Sequence, residues 1–179
     1  MCLTTGVRFC AGTLRTARAA HFQRQAPGAD MTQASQSTAV HGSCHCGRVQ
    51  VEFTTSAELA STTPRACDCS FCQKHGAAYV SDPSGHLRIT VAEADALLSY
   101  RQGSKVACFR LCSHCGVLVA VTFEHQGNTY GAVNASCLDE RSLFGASVPA
   151  SPQQLSSEAK ISRWLQVWVP GVQVVSAGT

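Results

Sequence analysis

The chain has 179 residues and a hydrophobic share of 45%, enough for one domain with a sizeable core plus a tail. No apolar run reaches the roughly 18 residues that span a bilayer, so the sequence reads as soluble, with no membrane partner. The formal charge of +3 arises in residues 1–30, where Arg8, Arg15, Arg18 and Arg24 face Asp30 alone; the neutral remainder lacks the basic footprint of a nucleic-acid binder.

Residues 1–39 are rich in Ala, Thr, Arg, Gln and Ser with little periodicity. They read as a disordered tail, or as an artefact of the assigned start with Met31 as the true one; an Arg-rich, acid-poor stretch is also what an organelle leader looks like. The folded domain is expected over 40–170, with 171–179 a C-terminal tail. Arg48–Phe53 alternates Val49, Val51 and Phe53, a half-buried strand. Leu87–Val91, Val106–Leu111, Val117–Phe123 and Thr129–Val133 are further strands, with a turn at Gln126–Asn128 before the last. Val91–Tyr100 contains AEADALL and predicts one or two helical turns, and Cys137–Phe144 another short helix. Ile161, Trp164, Leu165 and Trp168 recur at helical spacing, and a closing strand would bury them equally well. Such large aromatics pack on a core or line a pocket. Without strand–helix alternation a parallel α/β sheet is excluded, and a mainly β domain with short helices is expected.

The cysteines carry the chemistry. There are 11, an odd number, and no signal-peptide core is evident. This places the chain in a reducing compartment, expected to be the cytoplasm, where clustered thiols are metal ligands or catalysts. The first cluster is Cys44-His45-Cys46-Gly47 and the last Cys112-Ser113-His114-Cys115-Gly116. Each is a close pair followed by Gly and then a strand pattern. Together they offer four thiolates, the tetrahedral complement of a structural zinc, whereas a disulfide within C-x-C is strained. The middle cluster, Cys67-Asp68-Cys69-Ser70-Phe71-Cys72, holds three cysteines within six residues. Three protein ligands plus an open position are the arrangement of a catalytic zinc, and the vacancy suits a substrate thiolate. The alternative is that His75, Cys108 or Cys137 closes the site.

His45 and His114 read as exposed turn residues, and Cys108 and Cys137 as small buried hydrophobes. His75 and Lys74 follow the middle cluster and either meet a substrate or sit plainly on the surface. Cys2 and Cys10 in the tail take no role.

The stretches GSCHCGRVQVEF, CDCSFCQKHGA and FRLCSHCGVLV, in that order, resemble the family of glutathione-dependent formaldehyde-activating enzymes, which includes centromere protein V. GAVNASCLDE resembles the family's segment after the second pair, and the resemblance runs over about residues 40–168. It implies a β-tent-like fold of small antiparallel sheets around zinc. It implies one structural zinc on Cys44, Cys46, Cys112 and Cys115, and a second on Cys67, Cys69 and Cys72. It implies a carbon–sulfur lyase activity on the adduct of a small thiol, glutathione, and a small aldehyde, formaldehyde. Asp68 stands where the family often has His, and Gln73 where a basic residue is common. A non-catalytic zinc module that docks on a partner, as the centromere relative suggests, is the alternative.

Overall fold

Residues 37–177 are described by a computed structural model; the expectations for 1–36, Cys2 and Cys10 among them, lie outside the described residues. In chain order the elements are β1 (Thr38–Ser43), β2 (Val49–Thr55), β3 (Arg65–Cys67), α1 (Ser70–Lys74), β4 (Ala78–Val80), β5 (His86–Val91), β6 (Leu97–Tyr100), β7 (Cys108–Cys112), β8 (Leu118–His125), β9 (Asn128–Asn134), β10 (Val148–Ala150), α2 (Ser157–Val167) and β11 (Gln173–Ser176). They make a four-stranded sheet in the order β1-β2-β5-β11 and a seven-stranded sheet in the order β10-β3-β4-β9-β8-β7-β6. The domain is therefore mainly β, with two sheets and two α-helices among the described residues.

The five strands expected from alternation form, with ends shifted by no more than two residues. β8 and β9 meet at a tight turn in which Gln126 and Gly127 both have positive φ, the geometry that matches the twist of a hairpin. Every residue from Leu118 to Phe123 is buried, because β8 is covered on both faces.

Several expectations are corrected. Val91–Tyr100 is not helical: a turn closed by Ala96 N–H on the Glu93 carbonyl leads into β6, which pairs antiparallel with β7. Helix-favouring residues at 92–96 lose there to the ladder and to the burial of Ala96. Cys137–Phe144 is not one short helix: it holds the last residue of the 3₁₀ turn Ala135–Cys137 and the whole of the 3₁₀ turn Arg141–Leu143. The sheets are not wholly antiparallel, since β10 on β3 and β11 on β5 run parallel. β11 also lies inside the stretch expected to trail off after residue 170: the turn at Gly171 returns the chain to the free edge of β5, whose backbone groups need partners. At the other end β1 begins at Thr38, two residues ahead of the expected start of the domain.

Ile161, Trp164, Leu165 and Trp168 belong to a helix and its C-cap. Ser156 caps α2 by accepting from Ala159 N–H. Trp164 and Trp168 stack on each other at 4.6 Å and surround Phe123. Two hydrophobic clusters result. One gathers the four-stranded sheet with Cys44, Cys112, Val119 and Val133. The other gathers α2 with Cys69, Cys72, Tyr79 and the opposite face of the seven-stranded sheet.

Candidate metal centres and the adjoining cleft

Cys44 and Cys46 lie on the turn between β1 and β2, Cys112 ends β7, and Cys115 lies on the turn between β7 and β8. The two turns are built alike. Cys44 N–H donates to the Val49 carbonyl at 2.8 Å, and Cys112 N–H to the Val117 carbonyl at 2.9 Å. Gly47 (φ +77°) and Gly116 (φ +74°) supply the left-handed residue that each knuckle needs after its second cysteine. Val49 N–H then reaches Cys44 Sγ at 3.3 Å. The four sulfurs lie within 4.8 Å of one another, with Cys46 Sγ 3.6 Å from both Cys44 and Cys112. Burial pushes the Cys112 thiol up to about 12. Burial also opposes ionisation of Cys115, but backbone hydrogen bonds from Val117 and Cys46 outweigh it and bring that thiol down to about 6. One knuckle belongs to the four-stranded sheet and the other to the seven-stranded sheet, so an ion held by this quartet fastens the two sheets together.

The triplet is local. Cys67 ends β3, Cys69 is the N-cap of α1, and Cys72 lies inside α1 with its N–H donating to Cys69 Sγ at 3.5 Å. The three sulfurs lie within 4.8 Å of one another, and His75, Cys108 and Cys137 are not part of the group. The Cys67 thiol is held at about 6, first by its hydrogen bond with Cys72, while that same bond and burial push Cys72 up. Tyr79 Oη lies 3.4 Å from Cys72 Sγ, and Gln102 Nε2 lies 3.5 Å from Cys69 Sγ. Asp68 Oδ1 is buried with no hydrogen-bond partner. Clustered sulfurs beside an uncompensated carboxylate oxygen are what a thiophilic dication relieves. Both groups can therefore hold a metal ion, the quartet with four protein donors and the triplet with three.

The triplet's cysteines line a cleft, and the quartet's do not. A cleft of about 280 Å³ is lined by Cys67, Cys69 and Cys72 together with residues of β3, β4, β7, β8, the loop at 102–107 and α2. Alternation along β3 puts Arg65 on the same face as Cys67, and Tyr79 is its cross-strand partner. On α2, Lys160, Arg163, Trp164 and Val167 follow the i, i+3, i+4, i+7 pattern and share the face that closes the cleft. Three cations thus line it and no carboxylate does. Arg65 donates to Ser81 Oγ, which donates to the Val167 carbonyl at the end of α2. Burial, and then the charge of Arg163, hold the Arg65 guanidinium below its ordinary value.

All seven expected ligands fall into the expected groups of four and three. His45 and His114 are exposed. Cys108 and Cys137 are buried, and Cys137 Sγ donates to the Leu118 carbonyl. Lys74 and His75 do not line the cleft; Lys74 is exposed and His75 packs against Phe71 in a tilted pair at 4.6 Å. Trp164 and Trp168 both pack on the core and line the cleft, so the two roles weighed for them coexist. Sequence reasoning missed Arg65, Tyr79, Gln102 and the basic face of α2. The i, i+2 spacing of Arg65 and Cys67 was the one local signal available.

The model of the family described as glutathione-dependent formaldehyde-activating enzyme matches residues 39–154, and the chain belongs to that family. Among solved structures, a Rhodobacter sphaeroides protein is similar at 29% identity over 60% of this chain and 99% of that one, with a TM-score of 0.46. No helix among the described residues is long and apolar enough to cross a membrane.

Proposed function

We propose that this member of the glutathione-dependent formaldehyde-activating family is a zinc enzyme of carbon–sulfur chemistry. It joins a small aldehyde to a small thiol such as glutathione, or cleaves the S-hydroxymethyl type of adduct in reverse. The observation that carries the reading is the contrast between the clusters: four cysteines close one group, while three leave the other facing a cleft. Cys44, Cys46, Cys112 and Cys115 would hold a structural zinc, and Cys67, Cys69 and Cys72 a catalytic one. Zinc with three protein ligands offers a fourth position to a sulfur and favours its thiolate form.

The chain's own residues supply the rest. Gln102 donates to Cys69 Sγ, and Tyr79 Oη, within hydrogen-bond distance of Cys72 Sγ, would donate to it once it is a thiolate; both would fix the orientation of the ligand sulfurs. Phe109, Val121, Trp164 and Trp168 line the cleft with apolar surface that keeps water from competing with the incoming thiol. In the forward direction the thiol sulfur bonds to the carbonyl carbon, the C=O π bond breaks, and the thiol proton ends on the oxygen as a hydroxyl. A cytoplasmic enzyme of this kind would meet glutathione at high concentration. A concave, largely apolar cleft with a few polar groups beside the three-cysteine site suits a small substrate, and this favours the enzyme over the non-catalytic reading.

Cys69→Ala tests the proposal. The variant should stay folded, bind about one zinc fewer, and lose thiol-dependent consumption of a small aldehyde. Retention of both zinc ions would sink the ligand assignment. A wild type with two zinc ions and no such consumption, across several thiols, would sink the enzyme.

A further inference from the structure

The cleft carries a charge pattern that the metal chemistry does not use. Lys160, Arg163 and Arg65 line it without any Asp or Glu among the lining residues. The ion pair found among the described residues joins Arg48 to Glu93, and none of the three cleft cations takes part in one. Arg65 is half-buried. Its hydrogen bond to Ser81 uses one of five N–H donors, and through Ser81 it is tied to the end of α2 rather than left to swing. Three thiolates on a dication would leave one net negative charge, which three cations exceed, and two arginines on one concave wall repel until something further negative lies between them.

We propose that Arg65 and Arg163 form a carboxylate clamp, supported by Lys160, that selects a thiol substrate bearing a carboxylate. Arg65 is placed for this by strand alternation: two residues from Cys67 on the same face, it stands about 7 Å along the strand from the cysteine. A thiol that brings its sulfur to the triplet therefore carries its charged end to the arginines if a short chain separates the two. The guanidinium forks match a carboxylate in two parallel hydrogen bonds. The half of the cleft built by Trp164, Trp168 and Phe109 takes the apolar stem. Small neutral thiols would meet the metal site but not the clamp. The clamp rests on the reading of the triplet as a thiol site, and its test is chosen to separate the two.

The probe is S-methylglutathione, which keeps the carboxylates of glutathione but has no thiol to ionise. Its binding to the full-length zinc-loaded protein is followed by the fluorescence of Trp164 and Trp168. The wild type should bind it, and Arg163→Gln, at an exposed position on α2, should bind it about tenfold more weakly, the loss expected for charge-assisted hydrogen bonds. Arg163→Lys should recover part of the loss, because charge is kept and the fork is not. The ratio of turnover with glutathione to turnover with 2-mercaptoethanol should fall by a similar factor in Arg163→Gln. Equal affinity in wild type and Arg163→Gln, or no binding by the wild type, overturns the clamp. If either result accompanies thiol-dependent aldehyde consumption by the wild type, the thiol reading stands and the clamp alone fails. Binding that weakens in Arg163→Gln while no thiol supports aldehyde consumption upholds the clamp and sinks the enzyme.

Discussion

The quartet and the triplet are made of the same side chain and differ in almost everything else. The quartet draws its sulfurs from two hairpin turns 66 residues apart and from both sheets. Its knuckles are closed by matched backbone hydrogen bonds, and none of its four cysteines lines either cleft found among the described residues. The triplet draws its sulfurs from six consecutive residues at the start of one short helix, and its neighbours are a tyrosine hydroxyl, an amide and a basic cleft. Metal at the first place would be a long-range crosslink, and at the second a local decoration. Whether a cysteine cluster serves the fold or the chemistry is therefore set by how far apart its ligands lie along the chain and by what is left open beside it.

The sharpest way to break this comparison is to remove one ligand from the quartet. Zinc binding at a site that the unfolded chain does not possess is folding free energy, on the order of 10 kcal/mol, comparable with the whole stability of a domain. Cys115→Ala should yield insoluble or unfolded protein, in contrast to the folded Cys69→Ala. A soluble Cys115→Ala with unaltered near-UV circular dichroism would show that the sheets hold together without the crosslink.

A gentler test keeps every residue. Titrating the zinc-loaded protein with a chelator should release zinc in two steps. The first equivalent should leave the three-ligand site with the far-UV signal of the sheets intact, and the second should leave only as that signal is lost. Release of both equivalents in one step, together with the structure, would erase the distinction.

The same contrast decides what could be read from the sequence. The quartet was legible because each half is a local motif, two cysteines and a glycine before a strand, and the halves match. The triplet was legible as a cluster of three sulfurs because its spacing is local. Its surroundings were not. The cleft joins β3, β4, the loop at 102–107 and α2, and nothing in the sequence near Arg163 points to Cys67 about a hundred residues earlier. β3 has three residues, too few for its alternation to stand out, so the shared face of Arg65 and Cys67 went unread. On α2 the apolar stripe at 161, 164, 165 and 168 drew notice, while the face at 160, 163, 164 and 167 differs from it by one residue of rotation. The misreading of 91–100 has another cause: AEADALL favours helix locally, and only pairing with β7 makes its second half a strand.

The smallest predicted effect sharpens the comparison most finely, because it touches one hydroxyl. Tyr79 is buried, and its Oη lies 3.4 Å from Cys72 Sγ. Burial first, and then the neighbouring Cys72 sulfur, push its own ionisation well above the ordinary value. The phenol therefore stays neutral at working pH and keeps a proton to donate to a thiolate at Cys72. Tyr79→Phe keeps the ring in the cluster that holds α2 and removes only that donor. Losing one hydrogen bond costs about 1 kcal/mol, a fall in melting temperature of a few degrees at most for a domain of this size. At the triplet the consequence is larger, since partners that orient metal ligands typically matter by about tenfold in affinity or activity. The variant should keep two zinc ions per chain, surrender the first to a chelator about ten times faster, and release the second as the wild type does. Equal acceleration of both would mean that Tyr79 acts through the fold. No acceleration of either would mean that the hydroxyl does not tune the triplet.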